Sequence, residues 1–157
     1  MTAVPAVAEE SLRIEAPAQV LYDLVADVAR MGEWSPEATG AKGAAKSPAV
    51  GDRFIGTNRH GLARWVTVCT VRQAERGSLF AFDVDVGPFP VSHWSYRFAP
   101  DPQGGTLVTE TWLDRRQGLR SLPIKALGAI IIPGDRAAHN RETMRTTLLR
   151  LRAAAQA

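Results

Sequence analysis

The chain has a single cysteine, Cys69, among its 157 residues, so no intramolecular disulfide can form. A reducing compartment suits such a chain. The longest apolar stretch, ALGAIIIPG at residues 126–134, is too short to cross a bilayer. The first residues, MTAVPAVAEESL, lack the basic start and the long apolar core of a secretory signal. These absences predict a cytoplasmic protein without stable membrane insertion.

Several motifs of catalysis and ligand binding are also missing. The three histidines, His60, His93 and His139, do not have the spacing of metal ligands. There is no Ser-centred nucleophile elbow, and the GGT and GPFPV stretches do not stand between a strand and a helix as phosphate loops do. Cys69 lies among apolar residues, which is typical of a buried and inert thiol. We therefore expect neither a metal nor a cofactor.

Positive charge is concentrated towards the C-terminus. Residues 114–157 hold nine Lys or Arg and three Asp or Glu, whereas residues 1–113 hold ten basic and thirteen acidic residues. A basic segment can meet nucleic acid. No aromatic residue follows Trp112, however, so the stacking platform of a single-strand binder is missing there. We expect a solvated helix face and no nucleic-acid partner.

The length suits one domain with one core. The composition, 45% hydrophobic and 22% charged, is typical of a globular protein. We therefore expect residues 1–157 to form a single domain, with an ordered core over about residues 9–155.

The predicted order of elements is one strand, two short helices, six strands and one long helix. Residues 9–15 alternate weakly as a first strand, and apolar spacing after Pro17 predicts a helix that ends at Gly32, followed by a turn or short helix at 33–37. The six strands are placed at residues 38–44, 52–60, 63–75, 78–86, 91–100 and 104–114. Their short connections favour an antiparallel meander. Asp135 is the candidate N-cap of the long helix.

Four stretches, in this order, resemble the helix-grip superfamily SRPBCC and its polyketide cyclase/dehydrase-like branch. They are IEAPAQVLYDLVADVARMGEWSPE, RWVTVCTVRQAE, HWSYRFAPDPQGGTLVTETW and NRETMRTTLLRLRAAA. The resemblance implies an α+β fold in which a seven-stranded curved antiparallel sheet wraps around a long C-terminal helix, with two short helices after the first strand. It also implies a deep cavity between sheet and helix, although a fold does not fix a function.

Alternation of side chains along the strands predicts which residues face this cavity. The inward set is aromatic with a few polar groups, which is typical of a small-molecule pocket. Its members are Phe54, Asn58, Trp65, Thr67, Cys69, Phe80, Phe82, Val84, Trp94, Tyr96, Val108, Glu110 and Trp112, joined by Asn140, Met144 and Leu148 on one face of the long helix. We predict that these residues bind the ligand. A solid core in which the aromatic side chains simply pack is the alternative.

Glu110 and Tyr96 are the candidate catalytic residues. A carboxyl group in an apolar pocket has a raised pKa and suits acid–base chemistry. The stretch VGPFPVSHWSYRF resembles the corresponding strand of aromatic-polyketide aromatase/cyclases, which are associated with a cavity tyrosine and arginine. Tyr96 matches the tyrosine, but the strand RWVTVCTV carries Cys69 and Thr70 instead of an inward arginine. An ion pair with an arginine, or an outward orientation, is the alternative for Glu110.

Three functions remain open at this stage. The preferred one is binding or carrying a hydrophobic small molecule such as a lipid, polyketide or isoprenoid. The second is a cofactor-free polyketide cyclase, aromatase or dehydratase, and the third is a protein-contact module like the ribosome-associated toxins and co-chaperones of this fold. We expect a monomer or homodimer. The apolar segment 117–134 is predicted to cover one cavity mouth through Leu119, Leu122, Ile124 and Leu127.

Overall fold

The computed structural model describes residues 7–157. Within this range the strands are β1 (Val7–Ile14), β2 (Ala38–Lys42), β3 (Arg53–His60), β4 (Ala63–Glu75), β5 (Leu79–Val86), β6 (Phe89–Pro100) and β7 (Thr106–Asp114). The helices are α1 (Ala18–Ala26), α2 (Leu122–Ile131) and α3 (Arg136–Ala155), with 3₁₀ helices at Val28–Glu33 and Leu119–Ser121.

All seven strands form one antiparallel sheet in the order β1-β7-β6-β5-β4-β3-β2. Strands β2 to β7 are consecutive hairpin partners, and β1 pairs with β7 from Val7 opposite Leu113 to Ile14 opposite Thr106. The meander predicted from the short turns is therefore confirmed. The α+β helix-grip fold, with its seven-stranded sheet, long C-terminal helix and short helices after β1, is confirmed as well.

The long helix α3 lies along one side of the sheet rather than over its middle. Its backbone contacts with the sheet are concentrated on β1 and, less extensively, β7. Met144 packs with Ala8 and Trp112, while Leu148 and Leu151 join the main core. These residues, with Asn140, form the buried helix face that the spacing predicts. Strands β3 to β5 face the side of the molecule that α3 leaves open.

Helix α1 closes the other end of the core. Tyr22 packs edge-on against Phe80 and Phe98, with ring centroids 5.9 and 5.8 Å apart. Leu21 and Val25 are buried beside it. Each large apolar side chain buried in this way contributes about 1.5–3 kcal/mol before entropy is counted. This part of the domain is solidly packed.

The first helical segment differs from the prediction. A single helix to Gly32 was expected, but α1 ends at Ala26, Asp27 is non-helical, and a 3₁₀ helix runs from Val28 to Glu33. The second short helix therefore starts earlier than predicted. A Cβ atom at Gly32 would stand 2.6 Å from the carbonyl oxygen of Thr39, so glycine permits the 3₁₀ helix to lie against β2.

Residues 117–134 are more regular than predicted, because α2 occupies Leu122–Ile131 with Pro123 in its first turn. Ile124 is buried, but Leu119 and Leu122 are exposed, so the prediction that these two leucines contact the cavity is wrong. Spacing failed here because both faces of α2 are apolar. In residues 7–157 no helix is long and apolar enough to cross a membrane.

The start of α3 depends on its cap. The Asp135 carboxylate accepts hydrogen bonds from the backbone N–H groups of Ala137 at 2.9 Å and Ala138 at 3.3 Å, as the sequence predicts. These donors have no partner within the helix, and the negative charge also suits the helix N-terminus. The cap fixes the point where α2 gives way to α3.

We expect Asp135→Ala to lower the free energy of unfolding by about 1 kcal/mol, because two N–H groups lose their acceptor. Urea denaturation measures this loss. Glu142→Ala is the matched control, since Glu142 is an exposed acid on the same helix. Equal losses in the two variants would show that the cap does not stabilise α3.

Candidate functional site

A cavity lies between the curved sheet and the helices. The space inside it that is open to the centres of water molecules is about 120 Å³. Ten of the residues predicted from the sequence line it: Phe54, Asn58, Trp65, Thr67, Cys69, Phe82, Val84, Trp94, Tyr96 and Glu110. The structure thus brings together residues from β3, β4, β5, β6 and β7 on one wall.

Strand register explains how these residues meet. Phe54 stands opposite Cys69, Cys69 opposite Val84, and Val84 opposite Ser92, so the four form one row across the sheet. Directly paired residues of an antiparallel sheet point to the same face. At position 56 a Cβ atom would lie 2.6 Å from Oγ1 of Thr67. Glycine at this position therefore keeps the wall open beside Thr67.

Six predicted residues are not on the wall of the main cavity. They are Phe80, Val108, Trp112, Asn140, Met144 and Leu148, and all of them are buried. Phe80 and Val108 lie where α1 and α3 fill the space above the sheet, so an inward side chain there meets protein. Trp112 lines a smaller adjoining cavity. Alternation shows which side chains point inward, but it does not show where along a strand the packed core ends and the open cavity begins.

The wall also contains residues that the sequence reasoning missed. Gly56, Val86 and Ser92 follow the same alternation as the predicted set and were recognisable from it. The others come from the segment after α1 and from α3, which are not strands, and from β2 and the start of β6, where the strand pairing has register shifts. They are Met31, Ser35, Glu37, Ala38, Gly40, Val91, Arg136, Thr143 and Thr147.

Glu110 and Tyr96 form a buried dyad in the cavity wall. They are direct partners across β6 and β7, and the Tyr96 hydroxyl donates a hydrogen bond of 2.7 Å to Oε1 of Glu110. The other oxygen, Oε2, is buried without a hydrogen-bond partner among residues 7–157. Burial raises the pKa of Glu110 to about 8, although the Tyr96 hydrogen bond opposes the shift. The pKa of Tyr96 is also raised, mainly by burial.

The orientation of Glu110 settles the alternatives posed by its sequence. Glu110 is only 3% exposed, so its side chain does not point outward into solvent. Among residues 7–157 no salt bridge engages it, so the ion pair does not apply either. Near neutral pH the group is mostly a neutral acid, and its free oxygen can donate to or accept from a polar group in the cavity.

Two further polar features modify the aromatic wall. The Trp94 indole N–H donates to the Ser92 hydroxyl at 3.1 Å, which fixes the ring in the wall. Thr67 Oγ1 and Cys69 Sγ lie 3.6 Å apart. Burial raises the pKa of the Cys69 thiol to about 11, so the thiol remains protonated at neutral pH. The remaining wall is mostly apolar.

An ionic cluster stands beside the cavity, where β2 meets the start of α3. Glu37 and Arg136 both line the cavity and lie 3.3 Å apart. His139 approaches Glu37 at 3.8 Å and packs edge-on against His60, with centroids 5.2 Å apart. Burial lowers the pKa of His139, and the attraction of Glu37 acts in the opposite direction. This cluster ties α3 to the β2–β3 side of the sheet.

A smaller cavity continues from the main one beneath α2. The two share Trp65, Val86, Val91, Ser92 and Arg136 as wall residues. The roof of the smaller cavity is formed by Ile124, Leu127, Gly128 and Ile131 of α2, followed by Ile132. Helix α2 is therefore placed as a cover over an extension of the main cavity.

The opposite, outer face of the sheet carries a separate ionic cluster. Asp83 accepts from Arg72 at 2.8 Å and is 2.7 Å from Nδ1 of His93, while Arg115 bridges Asp83 and Asp85. The opposite charges of these residues neutralise each other, and the contacts hold β4, β5 and β6 together. In the part of the chain that the structure describes, no group of three or more His, Cys, Asp or Glu side chains is arranged to hold a metal ion.

Comparison with solved structures supports this architecture. A polyketide-cyclase-like protein from Corynebacterium glutamicum is 29% identical, with a TM-score of 0.58 over 97% of this chain and 90% of that one. The major latex-like protein 151 of Panax ginseng is 10% identical, with a TM-score of 0.68 over 98% and 99% of the two chains. A protein from Chromobacterium violaceum gives 0.68 at 11% identity, covering 98% and 99%.

No match is found among curated proteins. The family model described as "Polyketide cyclase / dehydrase and lipid transport" matches residues 5–156, which is nearly the whole chain. Together with the helix-grip architecture, this match shows that the chain belongs to the polyketide cyclase/dehydrase and lipid transport family.

Proposed function

We propose that the protein binds a hydrophobic small molecule that carries one oxygen-bearing polar group. The observation that carries this proposal is an aromatic cavity with a buried carboxyl group in its wall, one oxygen of which has no partner in residues 7–157. An apolar cavity with few polar groups is the usual form of a small-molecule site. The family and the helix-grip fold support hydrophobic ligand binding.

The wall favours a flat ligand. Trp65, Phe82 and Trp94 supply aromatic surface, and Val84 and Val86 add aliphatic surface around it. Aromatic faces and edges pack well against planar apolar molecules. Polyketides, isoprenoids and ring-containing lipids all meet this requirement, so the proposal is one of ligand class.

Glu110 would fix the orientation of the ligand. Its Oε1 is occupied by the Tyr96 hydroxyl, so Oε2 is the atom available to the ligand. With a pKa of about 8, Glu110 donates to a carbonyl oxygen near neutral pH and accepts from a hydroxyl at higher pH. Leaving a buried polar atom unpaired costs about 1–3 kcal/mol, and a ligand that pairs with it recovers part of this cost.

A second candidate function is cofactor-free cyclisation or dehydration of a polyketide-like molecule. The observation that favours it is the pKa of Glu110, because a group that titrates near the working pH is an efficient general acid–base catalyst. In a dehydration of a β-hydroxy ketone, the ionised carboxylate of Glu110 would remove the proton next to the carbonyl. The same group, now protonated, would deliver that proton to the β-hydroxyl, which leaves as water while the C=C bond forms. Tyr96 would keep the carboxyl group oriented through its 2.7 Å hydrogen bond.

The first prediction tests whether the cavity takes a ligand. We expect prodan, a flat fluorescent ketone, to bind the wild type and Val84→Trp to abolish binding, because an indole at position 84 would occupy the cavity. Fluorescence titration measures this. Val66→Trp is the matched control, since Val66 is exposed on the other face of the neighbouring strand. Prodan binding by Val84→Trp equal to that of Val66→Trp would contradict the proposed site.

The stability of Val84→Trp also distinguishes a cavity from a solid core. Added volume in a filled core costs about 1–3 kcal/mol, whereas in open space the cost is small. We expect a loss below about 1 kcal/mol by urea denaturation. A larger loss, together with no prodan binding by the wild type, would support a solid core.

The second prediction concerns the pH dependence of ligand binding. Because the protonated form of Glu110 donates to the ketone, prodan affinity should fall as pH rises through about 8. In Glu110→Gln the amide donates at every pH, so this fall should disappear. Titrations from pH 6 to pH 9 measure it, with Glu75→Gln, an exposed carboxyl, as the control. An identical pH profile in Glu110→Gln and the wild type would remove Glu110 from the site.

The third prediction concerns stability. The ordinary pKa of a glutamate is 4.5 and that of buried Glu110 is about 8, so the folded state keeps a proton that the unfolded state releases between these values. The contribution of Glu110 to the free energy of unfolding is therefore present below pH 4.5 and lost as pH rises through 8. Glu110→Gln should lack this loss. Urea denaturation across this range checks the sign, and a wild-type contribution that grows with pH would contradict the assigned protonation.

The Glu110→Gln variant also separates the two candidate functions. If the protein is a catalyst, Glu110→Gln should abolish turnover of a β-ketone substrate and still bind prodan, because only the acid–base group has been removed. A carrier shows no turnover in the wild type and retains ligand binding in the variant. Product analysis by mass spectrometry, alongside the same titration, reads both quantities.

A further inference from the structure

Helix α2 is apolar on both faces. Its inner face, with Ile124 and Ile131, roofs the smaller cavity. Its outer face exposes Leu122 and Ile130, the latter at 78%, and the preceding 3₁₀ helix exposes Leu119 at 84%. We call these three residues the lid face. A helix that is apolar all round is normally buried or in contact with membrane, and contiguous exposed apolar surface marks an interaction site.

The charges around the lid face have one sign. Between Asp114 and Asp135 the chain carries Arg115, Arg116, Arg120 and Lys125 and no acidic residue. Arg115 and Arg116 are engaged by Asp85 and Asp114. Arg120 and Lys125 are exposed, and no salt bridge within residues 7–157 engages either of them. The lid face is thus apolar, with uncompensated positive charge beside it.

The tip of the β3–β4 hairpin also combines exposed apolar surface with positive charge. Leu62, in the turn between β3 and β4, is fully exposed, and Arg59 and Arg64 pair across the hairpin just below it. This tip lies at the same end of the sheet as α2, since Trp65 and Val86 share the smaller cavity with Ile124 and Leu127. No salt bridge of the described chain involves Arg59 or Arg64.

We propose that the lid face and the Leu62 hairpin tip dock on the surface of an anionic lipid bilayer, with the cavity extension under α2 directed towards the membrane. Apolar side chains flanked by Arg and Lys are what an interfacial helix presents to lipid. Anionic headgroups complement Arg59, Arg64, Arg120 and Lys125. The contact is peripheral, since α2 is a ten-residue helix and only its outer face enters the interface.

Docking in this orientation has a consequence for the cavity. The roof of its extension and the inserted surface belong to the same helix, so the lid face contacts acyl chains on one side of α2 while Ile124 and Ile131 face the cavity on the other. A hydrophobic molecule could then pass between bilayer and cavity without crossing water. This inference goes beyond ligand binding and holds whatever the ligand is.

Vesicle co-sedimentation of the full chain tests the proposal. We expect binding to phosphatidylcholine vesicles that contain phosphatidylglycerol, weaker binding to phosphatidylcholine alone, and a loss of binding as salt concentration rises. Leu119→Ser combined with Ile130→Ser should weaken binding by roughly tenfold or more, because two exposed apolar side chains no longer enter the interface. Absence of wild-type binding to either vesicle would overturn the proposal.

Matched controls distinguish this surface from the rest of the protein. Leu149→Ser removes an exposed leucine from α3 and should bind vesicles as the wild type does. Arg120→Glu with Lys125→Glu should abolish the preference for phosphatidylglycerol, whereas Arg150→Glu with Arg152→Glu, on the exposed end of α3, should preserve it. Equal losses in test and control variants would show only a general charge effect and would overturn the assigned face.

The competing hypothesis is that a second copy of the chain covers the lid face. In that case sedimentation velocity without vesicles would show a dimer that Leu119→Ser with Ile130→Ser dissociates, and the wild type would not co-sediment with lipid. That pair of results would overturn the membrane proposal. Thermal denaturation followed by circular dichroism verifies that all variants fold, which is expected because every substituted residue is exposed.

Discussion

A single long helix has to cover a sheet that is much wider than itself. Seven strands spaced by about 4.8 Å make a sheet roughly 30 Å wide, whereas a helix with its side chains is about 10 Å across. In this protein α3 packs along β1 and β7, and α1 fills the space over Phe80 and Phe98. The concave surface of β3 to β6 that remains is covered at one end only, where α2 roofs the smaller cavity. The cavity is therefore a consequence of how the helical cover is placed.

The dyad in the cavity wall lowers stability for the sake of a defined polar position. A neutral side chain of similar shape would avoid the desolvation of Glu110, which is expressed in its pKa of about 8. Tyr96 compensates only one carboxyl oxygen. Buried polar atoms without partners are uncommon in folded proteins and call for an explanation. The ligand proposed above would supply one by completing the hydrogen bonding of Oε2.

The charged residues fall into two groups with different roles. Those on the outer face of the sheet and beside the cavity are paired, as Asp83 is with Arg72 and Glu37 is with Arg136, so they fix strands and helix in place. Within residues 7–157, no salt bridge engages Arg120 and Lys125 near α2, or Arg59 and Arg64 beside the β3–β4 turn. Paired charges hold the walls of the cavity, and the unpaired cations accompany the apolar surface at its covered end.

The strands, the long C-terminal helix, the antiparallel meander and most of the sheet side of the site were predictable from the sequence. Alternation placed Phe54, Thr67, Val84, Trp94 and Glu110 on the inner face, because side-chain direction along a strand depends only on local geometry. The Asp135 cap was predictable for the same reason, since its acceptor and donors lie within three residues of one another.

The limits of the cavity depend on how the helices pack against the sheet, which the sequence pattern does not show. Phe80 and Val108 point inward like their neighbours on the strands, yet they lie in the packed core with residues of α1 and α3. Met144 of α3 packs against Ala8 and Trp112 instead of facing open space. Arg136, Thr143 and Thr147 reach the wall because of how α3 packs along β1 and β7, which no periodicity within the helix specifies. The sequence also did not show which of the two apolar faces of α2 is directed towards the cavity. Local patterns fix the direction of a side chain, but what it faces depends on the packing of elements distant in sequence.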